Sequence, residues 1–186
     1  VNTVTSDTYV TPEMKALIGS EGNARESSME ATWSEHRRFI QAIMDEDPIY
    51  YDEEYAKKTR YGGIVCAPLF PSSVNRRPMG TPDPLTEGFK NNPEFDGLAA
   101  SGEGRGQRGL PHMDLSHVPR MLNGGNEIEF LQYMKLGEKT ISKTRIADIY
   151  EREGRSGRMV FIITETEVRN EKGELLMISR NTAIRR

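Results

Sequence analysis

One cysteine, Cys66, is too few for an internal disulfide, so packing alone must hold this chain together and a reducing, intracellular setting is expected. No apolar run approaches the ~20 residues a membrane-crossing helix needs. The polar opening VNTVTSDTYV has no signal-peptide core either. A cytoplasmic protein is expected, with Val1 in the place of Met marking a processed or trimmed start. Excess positive charge is also missing: 25 Lys and Arg face 28 Asp and Glu, for a net charge of −3 and a pI near 5.7. Without a basic field, nucleic acid is not an expected partner. What remains is 186 residues, 35% hydrophobic and 28% charged, enough to bury the core of one globular domain spanning 1–186.

Helices come first along the chain. Thr11-Pro12 opens a short one with Met14, Leu17 and Ile18 on one stripe and Gly19 at its end. Thr32 and Glu35 have capping-box spacing ahead of a second, in which Phe39 with Ile43 and Ile40 with Met44 face a core while Arg37 and Gln41 point away. His36 is expected on the polar face, in solvent. Asp47-Pro48 breaks this helix, and Asp52 caps a third, from Glu53 to Arg60, closed by Gly62 and Gly63. Ala67-Pro68-Leu69-Phe70 starts a further helix reaching about Val74.

From about 75 to 125 the composition turns to Gly and Pro, with PMGTPDP, GEGRGQRG and NGG. This is too long for an ordinary turn and is expected to be a functional insertion or mobile flap. The last third is dense in Ile, Val, Phe, Tyr and Thr over Glu127 to Met134, Lys139 to Arg152, Arg158 to Arg169 and Glu174 to Arg185. Short polar connections predict a four-stranded antiparallel meander, with the run from Met159 to Ile163 marking a central strand. Helices followed by a curling sheet define an α+β architecture.

The segment Phe39 to Phe70, FIQAIMDEDPIYYDEEYAKKTRYGGIVCAPLF, joins a helix, an acidic turn, a second helix and a glycine pair before an Ala-Pro start. This order resembles the signature of the MaoC-type hydratases and dehydratases, and GGNEIEF and IADIYEREGRSGRMVFI extend the likeness to the strands. The resemblance implies a hot-dog fold, an antiparallel sheet wrapped around a central helix, and chemistry on enoyl thioesters. Active members carry Gly-Asp-x-Asn-Pro-aliphatic-His, with Asp and His holding the water and a later His-Gly offering a backbone N–H to the thioester carbonyl. Here Asp45 matches the Asp, Asp47 stands for the Asn, and Tyr50 replaces the His. Ala67-Pro68 replaces His-Gly after Tyr61-Gly62-Gly63. Tyrosine donates well at neutral pH but is a poor base, and Pro68 has no N–H to offer an oxyanion. Those exchanges resemble the N-terminal-domain subfamily, in which a hot-dog unit without the catalytic pair works beside an active one.

The resemblance therefore implies a subunit or half of an enoyl-CoA hydratase or 3-hydroxyacyl-thioester dehydratase in fatty acid metabolism. It would act on acyl-CoA or acyl-carrier thioesters as a homodimer or as a heteromer with a second MaoC-type protein. Asp45 and Tyr50 are the catalytic candidates, and Asp47, Gly62, Gly63, Ala67, Pro68, Arg76 and Arg77 the substrate-binding ones, with Arg105 and Arg108 as further phosphate anchors. Two rival readings stand beside it: a self-sufficient hydratase using Asp45 and Tyr50, and a non-catalytic hot-dog scaffold. No cofactor or metal is expected, because His112 and His117 in LPHMDLSH lack further ligands. Cys66 is expected to be a small buried hydrophobe.

Overall fold

The computed structural model describes residues 8–75, 79–95, 109–155 and 157–186. The β-branched run of the last third forms three long strands, β3 (Thr140–Gly154), β4 (Gly157–Asn170) and β5 (Leu175–Arg185), joined by tight turns. Ahead of them lie β1 (Arg25–Glu26), which the sequence reading missed, and β2 (Met121–Phe130). All five make one antiparallel sheet in the order β1-β3-β4-β5-β2. The β4 strand is central, as its apolar run implied.

The expected four-stranded meander is corrected to three strands. β2 pairs with β5, Phe130 opposite Met177, and not with β3. Its connection to β3 is a crossing with partners of its own. Leu131 and Gln132 donate backbone hydrogen bonds to Leu176, Cys66 donates to Met134, and Gly137 donates to Ala31. Met134 is 1% exposed, so the crossing is drawn inward by its own apolar side chain. At Gly124 the paired strands come too close for a side chain: a Cβ there would sit 2.8 Å from Thr182 Cγ2 and 3.0 Å from Ile184 Cγ1.

One face of the sheet carries a ladder of alternating charge. Arg145, Glu165, Arg180 and Glu127 are direct neighbours across β3, β4, β5 and β2. Glu165 is buried and receives Arg145 Nη2 and Arg180 Nε at 2.6 Å each, and Arg180 also meets Glu127 at 3.0 Å. Cross-strand pairs of opposite charge fix the register of four strands at one level.

The helices follow the capping signals. Helix α1 (Pro12–Ala16) is capped by Thr11, and α2 (Trp33–Ile43) by Thr32, whose hydroxyl accepts from Glu35 N–H. The α2 helix ends at Met44, in the left-handed region at φ 55°, before proline can act. Helix α3 (Glu53–Lys57) is capped by Asp52. Within the Gly/Pro-rich stretch a further helix forms, α4 (Pro84–Asn91), with Asp83 as cap and Pro84 at its first position.

The central helix expected from Ala67 to Val74 is a single 3-10 turn, Phe70–Ser72, with the i→i+3 bond Phe70 N–H to Ala67 O at 2.9 Å leading into it. Pro71 explains the difference. It has no N–H to give the Ala67 carbonyl, and its ring would clash with that carbonyl in an α-helix. The segment is still enclosed: Ala67, Phe70 and Val74 are buried with Ile40, Tyr50, Val65 and Leu176 in one apolar cluster. A second cluster, Val10, Met14, Val118, Ile146, Ile149, Val160 and Ile162, packs at a different part of the sheet. The α+β architecture is as expected.

Candidate active-site region

The acidic turn is built by its own side chains. After the left-handed Met44, Asp45 N–H donates back to Ile40 O at 3.1 Å, closing α2. Asp45 Oδ1 accepts from Asp47 N–H at 3.2 Å, and Asp47 Oδ1 accepts from Ile49 N–H at 3.0 Å. Asp47 thereby caps the 3-10 turn Pro48–Tyr50, which drives Tyr50 into the core at 4% exposure. Asp45 is half-buried and Asp47 exposed. Burial holds the Tyr50 phenol far above its ordinary range, and the Asp45 carboxylate, the phenols of Tyr133 and Tyr61, and Asp47 push it the same way. Tyr50 thus keeps its proton at any physiological pH. It can donate a hydrogen bond and cannot serve as a base.

The residue missed in the sequence is His36. It is fully buried, not solvated, and its Nε2 accepts the Ala67 N–H at 3.0 Å. Its proton is therefore on Nδ1, which has no partner among the described residues. The ring stands edge-on to Phe70 at 5.1 Å and to Tyr50 at 5.9 Å. Burial lowers its pKa, which favours the neutral ring that this hydrogen bond needs. Two backbone positions that could have faced an oxyanion are thus closed. The Ala67 N–H is taken by His36, and Pro68 has none.

Gly62 is exposed at φ 68°, Gly63 is half-buried, and together they carry the chain from α3 to the buried run Val65–Ala67. Two hollows border this region. One, of about 430 Å³, lies among Arg60, Tyr61, Val65, Phe130 and Tyr133, with Lys135 on its edge. There Arg60 donates to Tyr61 Oη at 2.8 Å and lies over its ring, and Tyr61 packs on Tyr133 at 5.0 Å. The other, of about 730 Å³, begins at Pro71 and Ser72 and runs over the open face of β3, β4 and β5 beneath Leu110 and Met113. Arg76, Arg77, Arg105 and Arg108 lie outside the described residues.

Residues 16–179 match the family described as FAS1-like, dehydratase domain region, which is most of the chain. The chain belongs to this dehydratase family. Solved structures agree on the fold. The ChsH1-ChsH2 complex from Mycobacterium tuberculosis superposes with a TM-score of 0.66 at 16% identity, over 92% of this chain and 86% of that one. A MaoC-like dehydratase from Rhodospirillum rubrum gives 0.56 at 16% identity, over 91% and 93%. The HadBC (3R-hydroxyacyl-ACP dehydratase) complex, also from M. tuberculosis, gives 0.55 at 17%, over 90% and 96%. No curated protein sequence matches. The sheet is the hot-dog sheet of MaoC-like dehydratases, and the 3-10 turn at Phe70 stands where the resemblance implied a central helix.

In this member of the FAS1-like dehydratase family Cys66 is a core residue and His117 a loop tie. Cys66 is fully buried, and burial with the nearby Glu138 charge pushes its thiol up to about 12. His117 Nε2 donates to the Tyr9 carbonyl at 2.9 Å, while His112 borders the larger hollow. Among the described residues no three His, Cys, Asp or Glu side chains gather as a metal site, and no helix is long and apolar enough to cross a membrane. One signal could have revealed His36: it lies three residues before Phe39 and four before Ile40, on the apolar stripe of α2.

Proposed function

We propose that this chain is one half of an acyl-thioester hydro-lyase and supplies acyl-thioester binding surface to a second hot-dog subunit that carries the base. One observation supports this above the rest. At the motif position Tyr50 is buried and firmly protonated, the Ala67 N–H is already held by His36, and Pro68 has no N–H to give. Addition of water to an enoyl thioester puts OH on Cβ and a proton on Cα through an enolate. That needs a base for the water and donors for the enolate oxygen. In this reading the partner provides both. The present chain provides the larger hollow for the acyl group and the Arg60–Lys135 rim for the phosphates of the thioester carrier. Heteromeric assemblies among the structural neighbours, ChsH1-ChsH2 and HadBC, support a partner of this kind.

The test is an assay of purified chain on crotonyl-CoA and longer enoyl-CoAs, alone and with a second MaoC-type protein. Loss of one oxyanion donor typically costs ~10²–10³ in rate, so the isolated chain is expected to turn over little or nothing. Robust turnover by the chain alone, abolished by Asp45→Asn, would overturn this reading in favour of a self-sufficient hydratase.

A further inference from the structure

A sheet that wraps a purely apolar occupant should show it an apolar face, and the middle of this one is polar. The strand register places residues in cross-strand rows beneath the larger hollow. One row is Asn126, Asn181, Thr164 and Ile146, and the next is Ile128, Ser179, Thr166 and Thr144. All but Ile128 and Thr144 border the hollow. On one side of these rows lie Ile162 and Ala183, and on the other Val168 and Met177 beside Ser142. A patch of hydroxyls and amides therefore occupies the middle of the trough floor.

The patch is partly paired with itself. Asn181 Nδ2 donates to Asn126 Oδ1 at 2.7 Å, and the Thr144 and Thr166 hydroxyls bond at 2.9 Å. One amide donor and one amide acceptor of the asparagine pair remain over, whichever way the amides are turned. The hydroxyls of Thr164 and Ser179 have no side-chain partner among the described residues. A plain alkyl chain laid in the trough would strip water from these groups and return nothing, whereas a chain bearing oxygen would pair with them.

We infer that the acyl group held in this trough carries hydroxyl or carbonyl groups along its length and is not a simple alkyl chain. The inference rests on the acyl-thioester reading above and sets the substrate class of that site. Ile146, Ile162, Ala183, Val168 and Met177 hold the hydrocarbon portions of such a chain, and the polar patch between them sets where along it oxygen falls. Asn126–Asn181 takes either a donor or an acceptor, while Thr164 and Ser179 can donate to a keto oxygen.

The test is calorimetric binding of octanoyl-pantetheine and of analogues in which a single keto group is walked along the chain, using the full chain. One keto position is expected to bind about tenfold more tightly than the plain chain, the worth of a matched pair of hydrogen bonds in a half-dry site. Thr164→Val with Ser179→Ala keeps the volume and removes both hydroxyls. It is expected to bring that preference within about twofold while leaving thermal unfolding unchanged. Equal or tighter binding of the plain chain, or a preference that survives both the double variant and Asn181→Leu, overturns the inference alone. Failure of every thioester to bind, in a chain that melts normally, instead strikes the acyl-thioester reading on which it stands.

Discussion

His36 on α2 and Ala67 after the glycine pair are joined by one buried hydrogen bond, ring Nε2 to backbone N–H, at 3.0 Å. The bond ties the helix that precedes the acidic turn to the segment that runs beneath the sheet. The two ends of the motif thereby hold each other in place, with Tyr50 packed between them. The bond consumes the backbone donor of the residue before Pro68.

His36→Ala removes the acceptor and opens a hole beside Phe70, and is expected to cost about 2–4 kcal/mol of stability. The wild-type chain should also lose stability in mild acid. The folded-state pKa of His36 lies below its ordinary 6.5, so the unfolded chain takes the proton first. Stability is full above that ordinary value and falls as pH drops toward the folded one. Urea midpoints measured from pH 8 down to pH 5 should slope downward in the native chain and be flatter in His36→Phe; equal slopes would remove His36 as the cause.

Tyr50 should resist ionisation until the protein unfolds. Asp45→Asn removes a nearby negative charge and is expected to lower the Tyr50 pKa, yet leave it above the ordinary 10, because burial is the larger cause. Carbon NMR of the labelled phenol reads both values. A Tyr50 that titrates near its ordinary value in the native chain would contradict the geometry and reopen its use as a base.

How much of this was legible beforehand depended on whether a residue's neighbours lay close in sequence. The caps at Thr11, Thr32 and Asp52 and the strands β3, β4 and β5 could be read from local chemistry, and they appear where expected to within a few residues. His36 could not be placed while it was judged by its polar side chain alone; its spacing from Phe39 and Ile40 carried the information. Pro71 stood in plain view and forbids the α-helix expected through Ala67. The pairing of β2 with β5 was not legible, because nothing near Phe130 announces that residues 131–139 cross the sheet and do not turn back.

The charge ladder should show itself in acid as well. Burial raises the Glu165 carboxyl, but hydrogen bonds and charge from Arg145 and Arg180 outweigh it and hold the group below its ordinary 4.5. Its contribution is therefore complete above that pH and is lost as pH falls through the folded value. With the arginines a third to a half exposed, Glu165→Gln is expected to cost about 1–2 kcal/mol at neutral pH and less below pH 4. Thermal melts across that range, compared between native and variant, decide it.

Gly124→Ala should loosen the outer strand. The new methyl meets Thr182 Cγ2 at 2.8 Å and the Thr182 carbonyl at 3.0 Å, and a backbone cannot step aside as a side-chain tip can. A loss of about 1–3 kcal/mol is expected, with faster amide exchange along β2 and little change in the β3–β4 hairpin. Uniform protection would show that β2 accommodates the methyl.

The route of the chain through its sheet also sets a timetable. β2 leaves the ribosome before β3, β4 and β5, yet its hydrogen-bonding partner is β5. While it waits, Met121, Leu122 and Phe130 stand on an unpaired strand, and two hairpins must close before that strand has anywhere to go. The nascent chain is thus most exposed to mispairing in the interval between β2 and β5, and a chaperone or partner subunit that shields β2 during that interval would raise the yield of folded protein without changing its final stability.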